Sequence, residues 1–179
     1  ARLAHRVIVI LAISLILVVV AGLLISAETA ISRISRSRVD DLGDTKASLR
    51  LLSVLDDRPR FVNVLLFVST VASITAFVLV SYHGMNWLVG GPNLPVVAAF
   101  AILASILVVI SYIGLGVAPR TLGRMHSERI ALASAGPARF LAAILGPIAT
   151  LLIHIGNALT PGKGFRQGPF DSQAELRDL

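Results

Sequence analysis

The chain has 179 residues, of which 55% are hydrophobic and 15% charged, and its mean hydropathy is +0.83. A soluble domain carries about 25% charged residues, whereas here the charges crowd between long apolar runs, which is typical of helices in lipid joined by linkers in water. The absence of Cys excludes a disulfide framework and a Cys-based metal site. The net charge is +6, and the basic residues flank the apolar runs, so we expect a lipid bilayer and no nucleic acid as partner.

Three apolar runs are long enough to cross a membrane as helices. They are the uncharged stretches 7–25, 61–82 and 95–118. About 20 helical residues cross the roughly 30 Å hydrocarbon core, because each residue rises 1.5 Å. The first run also resembles a secretory signal, since Arg2 and Arg6 precede it. It is too long for a typical signal core and similar runs follow it, so we interpret it as a helix.

The basic residues of the linkers predict the orientation. Those between the first and second runs are Arg33, Arg36, Arg38, Lys46, Arg50, Arg58 and Arg60, and those after the third run include Arg120, Arg124, Arg129 and Arg139. The loop between the second and third runs has no Lys or Arg. The positive-inside rule therefore predicts that the first linker and the segment after the third run are cytoplasmic and that the N-terminus is external, against the weaker signal of Arg2 and Arg6. We expect a multi-pass protein of the plasma membrane with a cytoplasmic C-terminus.

A short cytosolic helix is predicted within the first linker. Asp44 or Thr45 is a suitable N-cap, and the helix would continue to Asp56. Arg58 and Pro59 would end it before the second run begins. Its expected apolar side consists of Leu49, Leu51, Leu52 and Leu55.

The fourth apolar stretch, residues 140–159, leaves two interpretations open. Gly146 and Pro147 interrupt it, and a central Pro removes a backbone hydrogen bond and kinks a helix. The stretch either crosses the membrane, which places the C-terminus outside, or lies along the inner leaflet as a juxtamembrane belt. The predicted organisation is a transmembrane domain over residues 1–160 followed by a Pro- and Gly-rich linker over residues 161–179.

Two sets of polar side chains lie in or near the runs. Glu28 is the only acid near any of them, at the inner end of the first, and a carboxylate at mid-membrane costs about 2.5–3.5 kcal/mol. Glu28 is either a functional group or one half of an interfacial ion pair with an Arg one or two turns on. The second run carries Ser69, Thr70, Ser73 and Thr75, and such hydroxyls either hold helices together or contact a cation.

The third run ends in a sequence that disturbs a helix. Pro119 cannot donate to the carbonyl of Leu115, and Gly114 and Gly116 admit close approach of another chain segment. Transporters use carbonyls freed at broken helices to hold cations. The alternative is an ordinary proline kink where the helix leaves the membrane.

No set of residues indicates an enzyme. The four His residues lie far apart in the sequence, at spacings that do not suit a metal site. The chain contains no nucleophile elbow, no phosphate-binding loop and no pair of acids within a run.

Four short motifs, in the right order, resemble one known family. Residues 26–39, Ser-Ala-Glu-Thr-Ala followed by Ile-Ser-Arg-Ile-Ser-Arg-Ser-Arg-Val, are similar to the first-helix signature of the CNNM/CorC magnesium transporters, Ser-Ala-Ala-Glu-Thr-Ala and then Leu-Ser-Arg-Ser-Arg. Residues 58–61 resemble that family's Asn-Pro-Glu-Arg-Phe. Residues 117–122 resemble the end of Gly-Glu-x-x-Pro-Lys-Thr-Leu, and residues 174–177 resemble the Glu-Glu-Leu-Arg that leads into its cytosolic CBS pair.

The resemblance implies a fold and a function. It implies an all-α membrane protein and a homodimer, each protomer with three transmembrane helices, a short cytosolic helical linker and a juxtamembrane belt helix over residues 140–159. It also implies an external N-terminus, and an ATP-binding CBS module that follows this segment. Members of the family are associated with magnesium export, coupled to sodium.

The departures from the family pattern weaken the expected ion site. Where the second helix of the family has Asn-Thr this chain has Ser69-Thr70, where the third has Gly-Glu it has Leu115-Gly116, and the first-helix Ser falls opposite Ile25. Magnesium prefers six oxygen ligands in near-octahedral geometry. The candidates that remain are Ser26, Glu28, Ser69, Thr70, and the carbonyls near Gly116 and Pro119. We therefore expect either a divergent magnesium transporter or a family member that has lost transport and acts as an anchor, sensor or assembly partner.

Overall fold

The computed structural model describes residues 2–159, and within that range the chain is helical, without strands. Its elements are α1 (Arg2–Arg33), α2 (Arg36–Asp40), α3 (Lys46–Leu55), α4 (Arg58–Gly90), α5 (Val96–Ile110), a π-helical segment (Ser111–Val117), α6 (Ala118–Met125) and α7 (Ser127–Leu159). The predicted all-α class is confirmed. The predicted linker over residues 161–179 lies outside the described residues.

Four stretches of the described chain are long and apolar enough to cross a membrane: Val7–Arg33, Arg58–Gly90, Val96–Met125 and Ser127–Ile148. The first three contain the three predicted runs, except for Pro95 at the start of the third. The fourth belongs to α7 and begins well before residue 140, where the sequence placed the start of the ambiguous stretch. The chain is therefore a multi-pass membrane protein with four candidate spans, one more than the sequence predicted.

The helices extend beyond the apolar runs that predicted them. α4 continues through His83 and Trp87 to Gly90, although the sequence suggested a loop there. At its other end Pro59 lies in the first turn of α4 rather than terminating α3, because a first-turn proline loses no intrahelical hydrogen bond. Gly84 remains helical since α5 packs on it, and a Cβ at that position would come within 2.7 Å of Leu103 Cδ2.

The predicted linker helix is confirmed as α3. Thr45 is its N-cap and forms a capping box with Ser48, each side chain bonded to the other residue's main-chain N–H. Leu51 and Val54 are fully buried, but Leu49 is exposed, contrary to the prediction. Leu49 lies about 200° around the helix from Leu51, because each residue turns by about 100°.

The main core lies where α7 packs on α1, α3 and α4. Its α7 side is a row of alanines at intervals of three and four residues: Ala131, Ala135 and Ala138. They pack against Ile31 of α1, Leu51 of α3 and Leu65 of α4, among others. Side chains this small allow the helix axes to approach closely.

α7 also packs on the first turns of α4. In the cluster that these two helices form alone, α7 contributes residues between 141 and 145 and α4 contributes residues between 61 and 68. Residues 140–159 continue α7 as a helix through Pro147, and the space beside Gly146 holds the guanidinium of Arg60, whose Nη2 would lie 3.1 Å from a Cβ there.

Candidate functional site

Three helical segments meet at one apolar contact, which we call the three-helix junction. Ala21 of α1, Ala72 of α4 and Leu115 of the π-helical segment are buried against one another. The junction brings the oxygen-bearing parts of all three segments to the same region of the bundle. All six predicted ligands lie within two turns of it along their own helices, so the direction of each side chain decides which of them reach it.

The closest backbone approach is between α1 and the segment after the junction. The buried Ser26 hydroxyl donates to the carbonyl of Pro119 across 2.9 Å. A Cβ at Gly123 would lie 2.5 Å from the Ser26 carbonyl oxygen, and one at Gly22 would lie 3.4 Å from the Gly114 carbonyl oxygen. These glycines let the backbones touch, so one side of α1 gathers a hydroxyl and several carbonyl oxygens.

The predicted break at Pro119 is a π-helical segment rather than an interrupted helix. The N–H of Ala118 donates to the carbonyl of Ile113, five residues back. The next residue, Pro119, has no N–H, so in this pattern the carbonyl that it leaves without a main-chain donor is that of Gly114. The α-helical pattern assumed from the sequence points to the carbonyl of Leu115 instead. The Gly114 carbonyl oxygen, which Gly22 approaches, is therefore the one that Pro119 leaves without a main-chain donor.

The two hydroxyl residues of α4 differ in position. Ser69 is 4% exposed and lies one turn before Ala72 of the three-helix junction, whereas Thr70 is exposed on the other side of the helix. Both hydroxyls donate to the carbonyl of Leu66, at 2.9 Å and 2.8 Å. Because a hydroxyl oxygen that donates its proton keeps two lone pairs, Ser69 can still accept a cation from the bundle side. The structure does not bring Thr70 to the junction.

Glu28 is buried but faces away from Ser26. Two residues along an α-helix turn by about 200°, so these side chains cannot share one small ion directly. The Glu28 carboxylate accepts hydrogen bonds from the hydroxyls of Thr29 and Ser32, each at 3.2 Å. The alternative, an ion pair between Glu28 and a nearby Arg, is wrong in this structure, because the carboxylate bonds to these two hydroxyls instead.

The candidate site is poor in negative charge. Glu28 is the only carboxylate in the first three candidate spans. Over residues 2–159 no three His, Asp or Glu side chains lie close enough together to hold a metal ion. Gly116 is half-buried beside the junction and supplies only its main-chain oxygen. The arrangement offers neutral hydroxyl and carbonyl oxygens, which hold a dication more weakly than carboxylates do.

Sequence reasoning missed Gly22 and Gly123, which set the spacing of the helices. Each lies four residues from a predicted ligand, Gly22 from Ser26 on α1 and Gly123 from Pro119 on the opposing segment. That spacing is a known signal of close helix packing in membranes and was present in the sequence.

Comparison with known proteins agrees with the motifs. A family model described as the cyclin M transmembrane N-terminal domain matches residues 12–179. Two similar proteins are the UPF0053 protein Mb2387c of Mycobacterium bovis and the UPF0053 protein Rv2366c of Mycobacterium tuberculosis. Each is 40% identical over 173 residues, an alignment that covers 93% of this chain and 37% of the relative.

The present chain thus spans 37% of the length of the curated relatives that it matches. The family match extends over nearly all of the chain and includes the motifs on α1, α4 and α6 that first indicated the resemblance. The chain therefore belongs to the CNNM family, and it corresponds to the transmembrane N-terminal domain of that family.

Proposed function

We propose that this chain is the membrane domain of a divergent magnesium transporter, an exporter coupled to sodium. The observation that carries the proposal is the contact between the Ser26 hydroxyl and the Pro119 carbonyl, buried beside a π-helical segment. Such segments occur often at functional sites, and oxygens exposed by irregular backbone are what membrane transporters offer to cations.

The proposed ion ligands lie around the side of α1 that faces the three-helix junction. They are the hydroxyls of Ser26 and Ser69 and the main-chain oxygens of Gly114, Gly116 and Pro119. Because no carboxylate faces this region, the ion keeps part of its hydration shell, which magnesium gives up reluctantly. Glu28 acts from the other side of α1 as an uncancelled negative charge rather than as a direct ligand.

The proposed architecture has three spans: α1, α4, and α5 continued through the π-helical segment into α6. In it α7 is the juxtamembrane belt. The packing of α7 on the linker helix α3 supports this arrangement. We further propose an external N-terminus, a homodimer in the plasma membrane, and a cytosolic ATP-binding CBS module beyond residue 179. Family membership supports these points.

Magnesium should stabilise the purified chain in detergent micelles. A site with a dissociation constant of about 1 mM gains about 1.4 kcal/mol from 10 mM magnesium, which raises the melting temperature by a few degrees. Ser26→Ala, Ser69→Ala and Glu28→Gln should each reduce that rise, the first two by removing a ligand oxygen and the third by removing a charge. Thermal unfolding with and without magnesium measures the effect.

Ser105→Ala is the matched control. Ser105 donates to its own helix at 2.8 Å, as Ser69 does, but it is exposed on α5 away from the junction. It should leave the magnesium-dependent rise unchanged. A wild-type chain that gains nothing from millimolar magnesium, or equal losses in Ser69→Ala and Ser105→Ala, would count against an ion site at the junction.

A second candidate function is a family member without transport, acting as a membrane anchor, sensor or assembly partner. Gly116 favours it, because this residue brings no carboxylate to a site whose hydroxyls are already bonded to carbonyls. Proteoliposomes loaded with a magnesium-sensitive dye separate the two functions. A magnesium-dependent rise in melting temperature without flux would indicate a sensor, and flux that Ser26→Ala abolishes would indicate transport.

A further inference from the structure

A basic cavity lies where the end of α1 meets the start of α7. It has a volume of about 610 Å³ and is lined by charged or polar side chains that include Arg33, Arg38, His126, Glu128 and Arg129. Three guanidinium groups therefore face one carboxylate. Arg38 is paired with that carboxylate, Glu128, at 3.2 Å. Arg33 and Arg129 form no ion pair with any residue between 2 and 159.

An apolar groove is formed by the next turns of the same two helices. Its volume is about 420 Å³, and its lining includes Leu23 and Ala27 of α1 and Ile130, Ala133 and Pro137 of α7. Almost all of the lining surface is apolar, whereas the neighbouring cavity is mostly polar. On both helices, then, the lining changes from charged to apolar within about two turns.

The change from charged to apolar lining has the dimension of a lipid headgroup layer. Arg33 lies about 9 Å along α1 from Ala27, since each residue rises 1.5 Å. The polar layer of one leaflet is about 5–8 Å thick. On α7, Ala133 follows Arg129 by one turn on the same face, so the two kinds of lining are adjacent on that helix as well.

We propose that this cleft between α1 and α7 binds one anionic phospholipid, with its phosphate among the arginines and an acyl chain in the apolar groove. Charge complementarity and the adjacent apolar lining together select this occupant, because a free phosphate would use only the basic cavity and a neutral lipid only the groove. The site does not depend on whether the chain carries magnesium.

The test uses the purified chain in detergent micelles with equimolar dioleoylphosphatidylglycerol and dioleoylphosphatidylcholine, with retained lipid counted by native mass spectrometry. The phosphatidylglycerol should be retained preferentially. Arg33→Gln and Arg129→Gln should each lower its retention about fivefold, the loss expected for one arginine facing an anionic lipid. Arg120→Gln removes the same charge from an exposed position on α6 outside the cavity and should have little effect.

Two further variants separate lipid binding from general stability. Glu128→Gln should raise phosphatidylglycerol retention, because it removes the repelling carboxylate and releases Arg38. Ala133→Phe should fill the groove and lower lipid retention, while stabilisation of the chain by inorganic phosphate alone stays small and unchanged. Equal retention of the two lipids, equal losses in Arg129→Gln and Arg120→Gln, or equal stabilisation by inorganic phosphate and by phosphatidylglycerol would overturn the proposal.

Discussion

The position of Glu28 relative to Ser26 illustrates how much single residues reveal before a structure exists. Their motif identified the family correctly, because it is a local pattern of residue types. Whether the two side chains can share one ion depends on the direction in which each points. A separation of two residues places them on opposite faces of α1. Thr70 is exposed for the same reason, since it follows Ser69 by 100° around α4.

Gly116→Glu should restore a carboxylate at the position where the family motif has Glu. A Cβ at Gly116 would lie 3.5 Å from the Ser111 carbonyl oxygen, which is an ordinary contact, so the site admits a side chain. Without magnesium the variant should melt below the wild type, because a carboxylate within a span is destabilising, by up to the roughly 2.5–3.5 kcal/mol that it costs at mid-membrane. With magnesium its melting temperature should rise more than that of the wild type.

Gly116→Gln is the control for this change, since it has the same shape without the charge. It should gain no more from magnesium than the wild type does. If Gly116→Glu is destabilised and gains no additional magnesium-dependent rise, the side chain at this position does not face the ion.

At the scale of helices, the apolar runs predicted where the spans are but not where they end. α1 continues beyond its run to Arg33, and its last turn is held by Arg58 of α4, whose guanidinium donates to the carbonyls of Ser32 and Ile34 at 3.3 Å and 2.8 Å. The sequence showed Arg58 only as one positive charge among several. Its capping role depends on a contact with a distant helix, which a pattern within one segment cannot show.

Gly123→Ala should destabilise the packing of α6 on α1. The new Cβ would lie 2.5 Å from the Ser26 carbonyl oxygen and 2.9 Å from Thr29 Cβ, and neither neighbour is the end of a flexible side chain. The backbones must separate, at a cost of about 1–3 kcal/mol. The Ser26–Pro119 hydrogen bond should weaken with them, so the magnesium-dependent rise in melting temperature should fall as well.

Gly90→Ala is the matched control at the end of α4, where a Cβ would meet nothing within 4 Å. Because alanine favours a helix over glycine, this variant should be as stable as the wild type or gain up to about 1 kcal/mol. Chemical unfolding in micelles gives both values. Similar stabilities for the two variants would show that α1 and α6 are not in the close contact described here.

At the scale of the whole molecule, the positive-inside rule, the family motifs and the packing of α7 support one topology, but length and composition do not select it. The fourth candidate span, Ser127–Ile148, satisfies the same length and composition criteria as the other three. The interruption at Gly146 and Pro147 does not end α7, so the predicted kink alone could not settle its placement. What distinguishes α7 is its packing on the short helix α3, a contact between distant segments.

Single cysteines can determine this topology directly, because these 179 residues contain none. Gly90→Cys, Asp44→Cys and His154→Cys each replace an exposed residue, and a Cβ at Gly90 meets nothing within 4 Å. With α7 as a belt, a thiol reagent that does not cross membranes should label residue 90 in intact cells and should label residues 44 and 154 only after permeabilisation. If α7 crosses instead, residue 154 is labelled in intact cells together with residue 90. Labelling of residue 44 in intact cells, with residue 90 protected, would contradict the proposed orientation. It would show that α4 crosses the membrane in the opposite direction, with the same packing of the helices.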